Sequence, residues 1–172
     1  MPPPRPGPPA FSTERLDLLP LRAAYADEMA DVLSDPALHS FIGGRPEAVD
    51  GLRARYARQL AGSSDPAVTW WNWVIRLRAD ECLTGTVQAT VGRGVAELAW
   101  VVGTAWQGRG IAREAAAGLV ARLAAEPDVH TVVAHIHPDH SASAAVARAV
   151  GLVPTGERRD GEVRWCAPAG VT

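Results

Sequence analysis

Between residues 69 and 102 the sequence runs through three β-branched or aromatic segments, 69–77, 82–91 and 95–102, parted only by the short breaks 78–81 and 92–94. Breaks of three or four residues leave no room for a crossover, so the three segments must fold back on one another as an antiparallel meander. That commits the centre of the chain to a sheet. The next stretch is equally directive: the last strand runs into VVGTAWQGRGIA, residues 101–112, and then into an Ala- and Leu-rich stretch, 111–125, that stops before Pro127 and reads as a long helix.

The flanks complete the pattern. Residues 15–21 read as a strand, and 23–34 as a helix with Tyr25, Met29, Val32 and Leu33 at helical spacing. A second helix is predicted over 47–60, with Val49, Leu52, Tyr56 and Leu60 on one face, and 62–66 is a loop. After the long helix come a strand at 129–136, a helix at 141–150 stopped by Gly151, and a strand at 163–167. The order βααβββαβαβ predicts one α/β domain of the α+β kind, with about four helices, over residues 12–168. A proline-rich leader, 1–11, precedes it and has little apolar surface to bury. At 172 residues the chain suits a single domain.

Composition enters as a set of exclusions. A net charge of −2 offers no general attraction to nucleic acid, and no apolar run approaches a membrane span, so a cytoplasmic protein is expected. Arginine supplies all 17 basic residues, consistent with a GC-rich genome. Cys82 and Cys166 are far apart in strand-like segments and read as buried free thiols rather than a disulfide or zinc framework.

The loop between strand and helix carries the chemistry. Gly103, Gly108 and Gly110 permit close approach of a ligand to the main chain, and the helix start supplies unpaired N–H groups with a partial positive charge. Arg109 and Arg113 add charge. Together these make an anion cradle, but not a Walker loop, because Gly108 is followed by Arg109 and Gly110 and the chain has no lysine. A dinucleotide fingerprint is also disfavoured, since Arg113 occupies the place of its third small residue.

The residues Gln107, Gly110 and Ala112 match a signature of Gln or Arg, two residues, Gly, one residue, then Gly or Ala, and so resemble the GNAT acetyltransferase family. A second landmark of that family, a helix with Asn and Ser three apart followed by Gly-Phe, is represented by His140, Ser143, Val146 and Gly151-Leu152. Ala147 stands where many members carry a tyrosine proton donor, which makes the chain most similar to the branch that acetylates ribosomal-protein N-termini. The resemblance implies a mixed, mostly antiparallel sheet with a splayed strand pair, and acetyl-CoA as cosubstrate. It places the pantetheine arm along the strand end at Val101 and Val102, and the pyrophosphate on amides of Gln107, Gly108, Arg109, Gly110, Ile111 and Ala112, with Arg113 nearby. A main-chain N–H at Val101 or Val102 would stabilise negative charge on the thioester oxygen during direct attack by an amine.

The same resemblance makes Glu97 the leading general base, against a purely structural acceptor role. Ser143, also expected to touch the cofactor, either protonates the leaving thiolate or caps its helix, and His140 either binds the cofactor or only precedes that helix. His135, His137 and His140 form HxHxxH, yet an imidazole lining the acceptor cleft outweighs metal ligation, so no metal is expected. Trp70, Trp71, Trp73, Trp100 and Trp106 are mainly core, and Arg53, Arg55 and Arg58 a solvated helix face. The expected partners are acetyl-CoA and an unidentified amine, from a protein N-terminus or a small molecule, in a monomer or homodimer with neither nucleic acid nor membrane. A non-catalytic acyl-CoA-binding module and an unrelated nucleotide-binding protein are the alternatives.

Overall fold

A computed structural model describes residues 7–170; most of the expected leader, residues 1–6, lies outside them. Eight strands are formed by β1 (Phe11–Ser12), β2 (Leu16–Pro20), β3 (Val68–Leu77), β4 (Cys82–Gly92), β5 (Val95–Val102), β6 (Thr131–Ile136), β7 (Val153–Arg159) and β8 (Glu162–Pro168). The α-helices are α1 (Ala26–Val32), α2 (His39–Ile42), α3 (Val49–Ala61), α4 (Ile111–Ala124) and α5 (Ser141–Ala149). The strands make one sheet in the order β1-β2-β3-β4-β5-β6-β8-β7. Its neighbours are antiparallel except β5 and β6, which α4 connects in parallel.

The period-two pattern of the meander gives the sheet two unlike faces. Trp73, Ile75 and Leu77 of β3, Val87, Ala89 and Val91 of β4, and Ala96 and Leu98 of β5 fill one face. They pack under Ile111, Ala115, Leu119 and Leu123 of α4 and Ala147 of α5. Each fully buried Val, Leu or Ile among them stabilises the fold by about 1.5–3 kcal/mol. A smaller core lies on the other face, where Met29 and Val32 of α1 and Leu52 and Tyr56 of α3 meet Leu21, Val74 and Leu83. That second cover is incomplete. In register across β3, β4 and β5, the carboxamides of Asn72 and Gln88 and the small Ala99 lie side by side on this face, the floor of a cavity.

The expected splay is present between β5 and β6. Their ladder ends at Leu98↔Ala134, although β5 continues to Val102 and β6 to Ile136. Strand β6 meanwhile stays paired with β8 as far as Ile136↔Val163, so residues 99–102 have no strand partner on their β6 side. Gly85 makes this divergence possible. A Cβ at that position would lie 2.1 Å from the Val101 carbonyl oxygen, so only glycine lets β5 lean against β4 where it leaves β6.

Several elements differ from expectation. Phe11, assigned to the leader, pairs with Leu18 in β1 and packs edge-on against Trp73 at 5.5 Å. The Pro9 carbonyl accepts the Trp73 indole N–H at 3.0 Å. Strand β7 was unread because VPTGERR lacks alternation and is largely exposed; it is an edge strand folded back at Asp160 and Gly161, both at positive φ. The first helix begins as a 3-10 turn at Ala23–Tyr25, and α2 is an additional short helix. Leu60, in the last turn of α3, is 53% exposed rather than buried; of the predicted face only Leu52 and Tyr56 are buried. Cys82 and Cys166 are free but half-buried. Burial, reinforced by Asp80 and Glu28, pushes the Cys82 thiol up, which keeps it protonated.

Candidate active site

Two cavities flank the free end of β5. The first, of about 490 Å³, is lined by Val101, Val102, Gln107, Gly108, Gly110, Ile111, Ala112, Arg113, His140 and Ser143. These are ten of the predicted cofactor residues, drawn from the strand end, the loop and two helix starts. The second, of about 450 Å³, opens over the polar face of the sheet, between α2 and α3 on one side and β5, β6 and β8 on the other. Phe41, Ile42, Trp100, Val101, His140 and Ser143 line both, so the two spaces meet at one junction.

The helix start is built to take an anion. Gly110 is the N-cap of α4 in a left-handed conformation, φ +77, and offers no side-chain cap. The ladder begins only at Glu114, whose N–H donates to the Gly110 carbonyl, so the preceding first-turn N–H groups have no intrahelical acceptor. Gly108 is also left-handed, φ +76. Arg113 is exposed and has no ion-pair partner among the described residues. The unpaired edge of β5 and this positive helix end together fit an extended chain ending in phosphates.

Two predicted residues are placed differently. Arg109 does not line the cavity; its guanidinium pairs with Asp80 at 3.6 Å, and only its carbonyl belongs to the loop's framework, accepting from Arg15 Nη1 at 3.0 Å. The Gln107 amide turns back to donate to the Val102 carbonyl at 3.0 Å, tying loop to strand. Arg15 and Glu114 were not singled out from the sequence. Glu114 accepts the Thr13 hydroxyl at 2.6 Å, the Arg15 N–H at 2.7 Å and the Arg15 Nε at 2.7 Å, which clamps the start of α4 to the first strands. Burial alone would raise the Glu114 carboxyl, but those three donors hold it below its ordinary value.

At the junction, Ser143 lies inside the first turn of α5, not at its cap, which is His140. The capping reading of Ser143 therefore falls away. Its Oγ lies 3.4 Å from His140 Nε2, while the His140 ring stacks on Phe41 at 4.2 Å and 8°. Burial first, then proximity to His137, holds His140 below the usual imidazole range, so it is neutral at neutral pH.

Glu97 lies on the wall of the second cavity but is not a free carboxylate. Arg159 of β7 donates to both oxygens, through Nη1 to Oε2 at 3.1 Å and through Nη2 to Oε1, and His135 Nδ1 lies 3.0 Å from Oε1. Burial raises its carboxyl, but the Arg159 and His135 contacts outweigh burial and hold it below the ordinary value. The HxHxxH imidazoles do not converge: His135 turns to Glu97, His137 Nδ1 accepts the Asp139 N–H at 3.1 Å, and His140 stacks on Phe41. Among the described residues no three His, Cys, Asp or Glu side chains group as metal ligands. Arg53 and Arg55 are not merely solvated: Arg53 pairs with Asp27 and Asp50, and Arg55 with Glu47 at 2.7 Å.

The family model for the acetyltransferase (GNAT) domain matches residues 15–153, most of the chain and all of the first cavity. The chain belongs to the GNAT acetyltransferase family. Among curated proteins it is 29% identical over 96 residues to the uncharacterised N-acetyltransferase YnaD of Bacillus subtilis. That match covers 55% of this chain and 54% of YnaD, so the chain spans about half the length of this relative. Among solved structures, an acetyltransferase from Agrobacterium tumefaciens is 25% identical with a TM-score of 0.75, covering 94% of this chain and 95% of that one. The ribosomal L7/L12 α-N-protein acetyltransferase RimL, solved with coenzyme A, is 16% identical with a TM-score of 0.79, covering 93% and 98%. The GNAT resemblance read from Gln107, Gly110 and Ala112 thus matches both the family model and the fold.

Proposed function

We propose that this protein transfers the acetyl group of acetyl-CoA to a primary amine, by direct attack with both substrates bound. The carrying observation is the junction: a cavity suited to an extended phosphorylated chain and a polar cavity on the sheet face share Trp100, Val101, His140 and Ser143. Acetyl-CoA supplies an activated acyl thioester. The chain's own groups do the rest. The α4 amides and Arg113 hold the phosphates, the free edge of residues 99–102 aligns the arm, and a main-chain N–H at Val101 or Val102 faces the developing negative charge. The amine's proton leaves toward Glu97 and its bonded imidazole, and Ser143 is positioned to return a proton to the sulfur.

The acceptor class rests on weaker support. RimL acts on a protein α-amine according to its name, and a protein N-terminus or a small-molecule amine fits a cavity lined by carboxamides and carboxylates. The described residues contain no helix long and apolar enough to cross a membrane, and a cytoplasmic location agrees with the composition. Thermal shift with acetyl-CoA, coenzyme A, NADPH and ATP tests the binding half: stabilisation by the two CoA compounds alone is expected. Release of free thiol from acetyl-CoA on adding an amine tests transfer, and binding without release for every amine supplied would reduce the protein to an acyl-CoA-binding module.

A further inference from the structure

Glu97 and His135 stand on adjacent strands, and their register puts them on one face. Glu97 pairs with Val133 across the parallel ladder, and His135 is two residues further along β6, just past the ladder's end at Leu98↔Ala134. The gap opened by the splay is what lets the imidazole lie against the carboxylate, Nδ1 to Oε1 at 3.0 Å. Arg159, reaching in from β7 on the far edge of the sheet, occupies both oxygens of the same carboxylate. Three strands from different parts of the sequence thus assemble Arg159, Glu97 and His135 in that order.

This order dictates a tautomer. A carboxylate held ionised has no proton to offer and can only accept, so Nδ1 of His135 must donate. The lone pair of the neutral ring is then on Nε2. Nε2 has no hydrogen-bond partner among the described residues, and His135, its side chain only 9% exposed, lines the second cavity. The other imidazoles on this cavity wall are committed differently: His39 has a main-chain carbonyl against each ring nitrogen, Gly43 at Nδ1 and Leu33 at Nε2. His137 uses its Nδ1 lone pair to accept the Asp139 N–H, and His140 is stacked on Phe41 beside Ser143.

We propose that Nε2 of His135 takes the proton from the acceptor amine, with Glu97 and Arg159 as positioning residues that fix the ring's tautomer and orientation. The assignment rests on the acetyl-transfer reading and refines it, moving the base from the carboxylate to its imidazole partner. As the amine nitrogen bonds to the acetyl carbon and the carbon–sulfur bond breaks with its electron pair on sulfur, one N–H proton passes to Nε2. The sulfur is protonated through Ser143, and His135 returns its proton to water. The resulting imidazolium lies 3.0 Å from Glu97, which stabilises it. Arg159 opposes it. The other charged and titratable groups around the ring are Arg164, its register partner on β8, which is paired with Glu157 at 3.3 Å; Glu162, His137 and His140 on the cavity wall; and, across the cavity, His39, Arg45 and the Arg55–Glu47 pair.

Two measurements decide between imidazole and carboxylate. Long-range ¹⁵N–¹H spectra of the histidine side chains, recorded on the full chain with coenzyme A, read the tautomer without any turnover. The Nδ1–H form is expected for His135 in the wild type, shifting toward Nε2–H in Glu97→Ala; an Nε2–H ring in the wild type overturns the proposal. Steady-state kinetics with acetyl-CoA and an amine panel of an alanine-initiated peptide, spermine and an aminoglycoside then separate base from positioner. For His135→Gln, kcat should fall roughly 10²- to 10⁴-fold with KM for acetyl-CoA unchanged. For Glu97→Gln a smaller fall is expected, with the acid limb of the pH profile displaced. Wild-type turnover by His135→Gln across pH, alongside loss in Glu97→Gln, overturns the imidazole as base while leaving acetyl transfer standing. A wild-type protein that binds coenzyme A but acetylates nothing in the panel overturns both.

Discussion

Single atoms decide the most sensitive positions. At Gly110 the main chain needs φ +77, which costs an L-residue about 1–2 kcal/mol, and an added Cβ would meet only Arg15 Nη2, at 3.4 Å. The protein should therefore fold when a side chain is placed there, but with a barrier where the phosphates approach. Gly110→Leu is expected to raise the Kd for coenzyme A roughly tenfold or more, with circular dichroism unchanged. Retained affinity in isothermal titration would remove the basis for the cofactor assignment. Gly85 is the opposite case. There the obstruction is backbone, 2.1 Å away at the Val101 carbonyl, so Gly85→Ala should lower stability by about 1–3 kcal/mol and displace the strand end on which the cofactor arm would lie. A chemical-denaturation midpoint at the wild-type value would contradict this. Tyr56 shows what burial does to a phenol: burial pushes its pKa up to about 12 against the opposing pull of the neighbouring Arg55 guanidinium.

At the scale of elements, the start of α4 is held by residues nearly a hundred positions earlier. Thr13 and Arg15 close on Glu114, and Arg15 also takes the Arg109 carbonyl, so the glycine-rich loop is braced from the N-terminal strands. Arg15→Ala is expected to loosen the loop, raising KM for acetyl-CoA several-fold while leaving kcat for saturated enzyme near its wild-type level. An unaltered KM would make the clamp purely structural. This bracing was invisible in the sequence, since nothing local links Arg15 to Glu114. By contrast, the meander, α4 and α5 were legible within a residue or two, because period, Pro127 and Gly151 are local signals. Strand β7 was missed despite a readable cue: Asp160-Gly161 is a hairpin turn pair, but the segment before it, with Pro154 and Gly156, has no apolar alternation.

For the whole molecule, the clearest solution property concerns acid. Asp17, Glu97 and Glu114 all titrate below their ordinary values in the folded protein. Ser12 and Arg78 lower Asp17 directly; for the other two, burial pulls upward and hydrogen-bonded partners prevail. A carboxyl lowered by folding contributes stability that is complete above its unfolded pKa and is lost as pH falls through the folded one. The melting temperature should therefore begin to fall as pH passes down through the ordinary imidazole value, where the folded state resists protonating His140, and drop further below the ordinary carboxylate range, with a shallower drop there in Glu114→Gln; a slope unchanged in that variant would refute its share. Sequence alone determined the class of fold and pointed to the glycine-rich loop as the proposed cofactor site, because periodicity, turn residues and a glycine-rich helix start are interactions between near neighbours. It also nominated Glu97 as the base, and raised His135 only as one of three imidazoles that could line the acceptor cleft. Only the tertiary structure decided that they are bonded, that Arg159 holds the carboxylate, and that two cavities meet beside Ser143. Such relations arise from strands that pair across long sequence separations and from a ladder that stops at Leu98, and no local pattern encodes where two strands part.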